Sequence, residues 1–333
     1  MSTTGPGASA GPDAPGFDED YRALRADVGA FALGRDVLRV SGADAVEYLQ
    51  GQLSQDVAAI EVGASADALI LSPQGKLDAL VRVSRTGDDE LVIDVDAGFG
   101  EAVAARLARF KLRVKVVIEP LEWRCVALRG PHADAVVAQV RGAEGTALAP
   151  AFAWNGVWGV DLMGGSPRVP DGVRVCSVQA WESVRVEAGI PAMGSELDER
   201  TIPAEADLLE RAVSFTKGCY TGQELVARLD ARGNRVARHL RGVVVGLPAG
   251  AAGGSSGPPM VAPGTEIVSG GKVVGAVTSA AWSSTLACPV ALGYVHRNVE
   301  PPSAVELHVA ARDSADAPGP AVFDAEVRAL PLL

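Results

Sequence analysis

The spacing of apolar residues changes period along this chain, and that change limits what it can fold into. Leu77, Ala79, Val81 and Val83 alternate with Asp78, Leu80 and Arg82, the two-residue period of a strand with one buried face. A strand over Ala68 to Ser72 precedes them through the turn Pro73-Gln74-Gly75. Thr86-Gly87-Asp88-Asp89 turns the chain into Leu91, Ile93 and Val95, which completes a hairpin pattern. Val103, Leu107 and Phe110 then fall at helical spacing, ahead of a strand over Val114 to Ile118. In front of this unit, Ser41 and Asp44 predict a capped helix carrying Val46, Leu49 and Leu53 on one face. A second round follows: a strand from Trp123 to Leu128, a helix from Pro131 to about Val140, strands near Phe152 and from Val157 to Leu162, and a strand around Val173 to Val178. A helix from Gln179 to Ala188 closes that round at Gly189 and Pro191. From Val243 onward only short β-prone runs remain, separated by glycine-rich turns, as in a small barrel. The expected architecture is α+β: a body of two related halves, about 18–120 and 121–237, followed by a C-terminal β-barrel over 238–333. Residues 1–17 are expected to form a disordered tail, and Ala249 to Pro259 a low-complexity loop.

Length and charge narrow the function classes. A chain of 333 residues with 48% hydrophobic and 21% charged residues is an ordinary globular composition. A formal net charge of −11 argues against a broad nucleic-acid grip, while leaving room for a small basic pocket. No apolar run approaches a membrane span and the first residues lack a leader pattern, so a cytoplasmic location is expected. Five arginines, Arg228, Arg232, Arg235, Arg238 and Arg241, suit an anionic tail or an acidic partner, or simply a solvated face.

The four cysteines show no C-x-x-C spacing, and no metal site is expected from them. Cys125, Cys176 and Cys288 lie in apolar runs and are expected in the core. Cys219 lies in Lys217-Gly218-Cys219-Tyr220-Thr221-Gly222-Gln223-Glu224. There Thr221 and Glu224 have capping-box spacing, with Tyr220 and Leu225 placed as a hydrophobic staple. A thiol just outside a helix opening, with a lysine two residues away, is expected to ionise more readily than a free one.

Lys217 to Glu224 resembles the K-G-C-[YF]-x-G-Q-E signature of the YgfZ group of folate-binding proteins, relatives of the glycine-cleavage T-protein. Tyr48 to Val57, Leu71 to Lys76, Arg185 to Pro191 and Val274 to Ser279 resemble further segments of that group. The resemblance implies a T-protein-like fold around a folate channel, with tetrahydrofolate or a one-carbon derivative as cofactor. It also implies partners among iron–sulfur proteins or their assembly machinery, with no direct nucleic acid or membrane contact. Glu187 matches the T-protein glutamate that bonds the pterin, and Arg185, Asp94, Tyr220 and Gln223 are carried along as folate-site residues. Cys219 is implied as nucleophile or temporary metal ligand, tuned by Lys217. The chain departs from the T-protein at the catalytic aspartate, where Ala79 stands and no proton can be exchanged. An accessory role in iron–sulfur cluster assembly or repair is therefore expected ahead of a one-carbon transferase or a folate sensor or scaffold.

Overall fold

The computed structural model describes residues 14–140, 144–246, 261–309 and 321–333. Most of the expected tail and the low-complexity stretch Ala249 to Pro259 lie outside them. Phe17, the last tail residue by the sequence reading, instead opens helix α1 (Phe17–Ala26) and is buried. The chain continues through β1 (Gly29–Leu33), β2 (Arg35–Ser41), α2 (Ala45–Gln52), β3 (Ser65–Leu71), β4 (Leu77–Arg85), β5 (Glu90–Asp96), α3 (Gly100–Arg109) and β6 (Val117–Leu121). Next come β7 (Arg124–Arg129), α4 (Ala133–Val140), β8 (Ala151–Trp154), β9 (Val157–Gly164), β10 (Arg174–Val175), α5 (Val178–Ala188), α6 (Leu209–Ala212) and α7 (Gln223–Asp230). The last elements are β11 (Arg238–Val245), β12 (Glu266–Ser269), β13 (Lys272–Ser283), β14 (Cys288–His296), β15 (Ser303–Val309) and β16 (Ala321–Arg328).

Strand pairing sorts these elements into two open sheets and a barrel. One sheet runs β3-β4-β5-β2-β6 and the other β10-β1-β7-β9-β8, while β11-β14-β13-β12-β15-β16 close on themselves. Closure removes the exposed edges that an open sheet of short strands would present. The α+β class and the C-terminal barrel agree with the sequence reading. The two halves interleave, however: β1 lies before residue 120 but pairs with β7 of the second sheet over Gly29 to Leu33.

Local patterning explains the cores. Leu77, Ala79, Val81 and Val83 of β4 are all buried, as their alternation predicts. They join Leu49, Leu107, Val186, Leu292 and Leu332 in one cluster that ties the first sheet to α5 and the barrel. On α1, Phe17, Tyr21 and Leu24 form a stripe that meets α5 and the second sheet, where Phe31 stacks on Trp181 at 4.9 Å between ring centroids. Helix α5 stops at Gly189, whose φ of 69° is readily adopted by glycine and supplies a left-handed cap.

Three element boundaries differ from expectation because other partners, distant in two cases and local in the third, claim the same groups. Ser41 is the last residue of β2, paired with Glu90, and cannot cap α2. The Asp44 carboxylate accepts instead from the Lys115 amide at 2.6 Å, and this tie holds Lys115 out of β6, which starts only at Val117. The strand expected over Val173 to Val178 shrinks to Arg174–Val175, since the Ser177 hydroxyl accepts from the Ala180 amide and starts α5. No helix among the described residues is long and apolar enough to cross a membrane.

Candidate functional site

Cys125, Cys176 and Cys288 are buried and Cys219 is exposed, matching the split expected from their neighbours. Burial pushes the Cys176 thiol up to about 11 and raises Cys125 and Cys288 as well, so these three are poor nucleophiles. Beside Cys219, a Cβ placed on Gly218 would meet nothing within 4 Å, leaving an open approach to the sulfur.

The loop carrying Cys219 is held by long-range contacts rather than by the expected capping box. Gly222, not Thr221, is the N-cap residue of α7, with φ 84°. A side chain there would put its Cβ 2.5 Å from the Ser72 carbonyl, so glycine is required twice over. The Thr221 amide donates to the Gly51 carbonyl at 3.3 Å, and the Tyr220 amide to the Gln223 side chain at 3.1 Å. Gln223 therefore staples its own loop, and two amides near the sulfur are already engaged.

Lys217 is likewise occupied. Its ammonium donates to the carbonyls of Gln50, Leu53 and Gln55 at 2.5, 2.7 and 2.9 Å, which uses all three of its N–H groups. Burial pulls its pKa down to about 8, with Asp56 pushing the other way. Lys217 thus ties the 50–55 segment to the Cys219 loop rather than lending its donors to the thiol. Tyr220 is buried under the ammonium, which sits 5.2 Å from its ring centroid. Three segments distant in sequence, 50–56, 71–76 and 217–224, meet here. Lys217→Met should cost about 1–2 kcal/mol, because three carbonyls lose their donor at an edge that water can partly reach. Urea denaturation checks this, and an unchanged midpoint would contradict the tie.

The remaining nominated residues are engaged elsewhere. Glu187 is fully buried, accepting from the Tyr21 hydroxyl at 2.9 and 3.0 Å and from the Arg25 guanidinium. Arg185 donates to Glu182, to the Ile190 carbonyl, to Glu196 and to Ser279, bracing α5 against β13. Asp94 is gripped by Arg82 and Arg35. Each of these three side chains thus has partners within the protein. Their partners Tyr21, Arg25, Arg35 and Arg82 were missed in the sequence. The one available signal was the i, i+4 placement of Tyr21 and Arg25 on a helical face.

A cavity of about 870 Å³ opens where both sheets and the barrel meet. Ser65 to Asp67 at the start of β3, Arg82, Trp154, Asp207, Glu210, Arg211 and Arg241 line it. Arg82 is committed to Asp94 and Asp161. Arg211 pairs with Asp67 and stacks 3.9 Å from the Trp154 ring centroid. Its volume falls in the range of small-molecule sites, with Trp154 as its aromatic wall and charged side chains over much of the rest. Cys219 is not among its lining residues. The thiol loop packs at the Ser72 end of β3 and the cavity at the Ser65 end, and seven strand residues span about 20 Å. Cys219 and the cavity thus lie toward opposite ends of β3.

Known proteins share this architecture. The family description "GCVT N-terminal domain" matches residues 12–168, and "Glycine cleavage T-protein C-terminal barrel domain" matches residues 253–321. An aminomethyltransferase of Corynebacterium jeikeium is 26% identical over 329 residues, covering 84% of this chain and 82% of its own length. An uncharacterized protein of Haemophilus influenzae is 27% identical over 199 residues, 59% of this chain and 66% of that protein. The crystal structure of the glycine cleavage system aminomethyltransferase T from Bartonella henselae superposes with a TM-score of 0.75 at 21% identity. It covers 96% of this chain and 90% of that one, and shows the common fold.

Proposed function

Both T-protein domains are matched in order along a chain that fits the glycine-cleavage T-protein-like family, and from that premise we propose a tetrahydrofolate-binding accessory protein that serves iron–sulfur cluster assembly or repair through Cys219. The carrying observation is the spatial division itself: a ligand-sized cavity framed by three layers, and one exposed thiol at the far end of β3. Reduced folate would be held by the cavity lining, where it supplies one-carbon chemistry or simply fixes the arrangement of sheets and barrel. This chain's own residues do the rest. The Lys217 tie and the Gln223 staple hold the loop, and Cys219 presents a sulfur lone pair to an iron or an electrophile carried by a partner. One thiol is too few ligands to retain a cluster, which ordinarily takes four, so any cluster contact is shared and transient.

Aminomethyl transfer is the rival reading, favoured by the curated relatives of that name. Against it, Ala79 occupies the position aligned with the catalytic aspartate and is buried in the core, while neighbouring Asp78 pairs with Arg106. Calorimetry should show wild type and Cys219→Ser binding tetrahydrofolate equally, while the variant fails to restore iron–sulfur enzyme activity in cells lacking the protein. Full restoration by Cys219→Ser would remove the thiol from the mechanism. Tetrahydrofolate-dependent turnover of a small amine would favour the transferase.

A further inference from the structure

The cavity contains three arginines, and they differ in what they are free to do. Arg82 donates to two buried aspartates, and Arg211 is held by Asp67, the Ala153 carbonyl and the face of Trp154. Arg241, on β11, donates only to its own neighbour's carbonyl at Leu240, at 3.1 Å. Among the described residues it forms no ion pair. A guanidinium has five N–H donors in a planar fork, so four of those of Arg241 are uncommitted where the chain meets the cavity. Burial lowers its pKa and Asp207 partly offsets that, consistent with a charge stripped of water and incompletely compensated. The other arginines of the 228–241 run are placed differently. Arg238 pairs with Glu205 and lies over the Tyr294 ring, and Arg235 lines a separate surface cleft.

We propose that Arg241 is the docking point for a ligand carboxylate in the central cavity, the carboxylate being the glutamyl tail of a reduced folate. The inference rests on the folate reading above and adds the polarity of the bound molecule. Planar carboxylate matches the free fork of a guanidinium bidentately, which a compact ammonium could not do. Asp207 and Glu210 line the same cavity, and neither forms an ion pair among the described residues. Because the glutamyl tail carries two carboxylates, only the one that reaches the Arg241 fork is stabilised there, and the other is turned away from Asp207 and Glu210.

The test crosses a truncated ligand with a variant. Tetrahydropteroate is the same heterocycle and benzoyl unit without glutamate. Wild type should bind tetrahydrofolate about tenfold or more tightly than tetrahydropteroate, the worth of a charged hydrogen-bonded pair. Arg241→Gln should lose that preference by weakening tetrahydrofolate alone, with tetrahydropteroate binding unchanged as proof that the cavity is intact. A variant that keeps the full preference, or that weakens both ligands equally, overturns the role of Arg241 while leaving folate binding in place. Wild type binding neither ligand would instead overturn the folate reading and this inference with it.

Discussion

Arg82→Met should lower the free energy of unfolding by about 3–5 kcal/mol, the cost of removing one member of a buried ion-pair network and leaving its carboxylates in excess of their cations. Arg82 reaches from β4 to Asp94 on β5 in its own sheet, at 3.0 and 3.1 Å, and to Asp161 on β9 of the other sheet, at 2.7 Å. Arg35 supplies a second partner to Asp94 and also pairs with Asp96, and Arg129 supplies a second partner to Asp161. Three arginines thus balance three aspartates across the junction of the two sheets. Arg129 and Asp161 are buried, so that end of the network cannot relax into water when one member is removed. Methionine fills most of the stem volume and isolates the charge effect from a packing effect. The urea midpoint should fall with little change in slope. A midpoint within experimental error of wild type would mean that the network is electrostatically idle.

The same network sets a pH dependence. Burial pushes the Asp161 carboxyl up, but Arg129 and Arg82 outweigh burial and hold it below the usual carboxylate value of 3.8. A group whose pKa is depressed by folding binds fewer protons in the native state than in the unfolded state. Its contribution is present above the unfolded value and is lost as pH falls through the folded one. Acid unfolding should therefore begin at higher pH in Arg82→Met than in wild type.

What the sequence disclosed and what it concealed follow from the range of the interactions. Alternation in β4 and the glycine stop of α5 are decided within a few residues, and both are visible in the chain alone. The thiol's exposure was legible as well, because the glycines around Cys219 are local. Its surroundings were not. Thr221 has the spacing of an N-cap, yet its amide is claimed by Gly51, some 170 residues earlier, and Gly222 takes the cap. Lys217 reads as a neighbouring charge until the carbonyls of Gln50, Leu53 and Gln55 are brought under it. Arg241 stands in a run of arginines that the sequence cannot separate, and only the barrel's placement against the sheets gives it a cavity while Arg238 gets a carboxylate. Similarly, β1 joins the second sheet through pairing with β7, about a hundred residues on.

Glu187→Ala should cost about 3 kcal/mol of stability, near the low end for breaking a buried pair, and should leave tetrahydrofolate affinity within about twofold, on the reading that the carboxylate is a strut and not a ligand contact. The side chain is fully buried on α5, and both oxygens accept from the Tyr21 hydroxyl while Arg25 closes the pair from α1. The Tyr21 hydroxyl also meets the Thr285 hydroxyl at 2.7 Å, so the one carboxylate joins α1 and α5 to the turn between β13 and β14. Its loss leaves a cavity in the core and Arg25 unpaired. Arg25 retains 22% side-chain exposure and can recover some hydration, which keeps the cost from reaching the upper end. Denaturation and calorimetry on the same preparation separate the two roles. Should affinity fall tenfold or more while the unfolding midpoint holds, the Glu187 carboxylate must turn from Tyr21 and Arg25 to the ligand on binding, and the pterin contact implied by the T-protein resemblance would be restored.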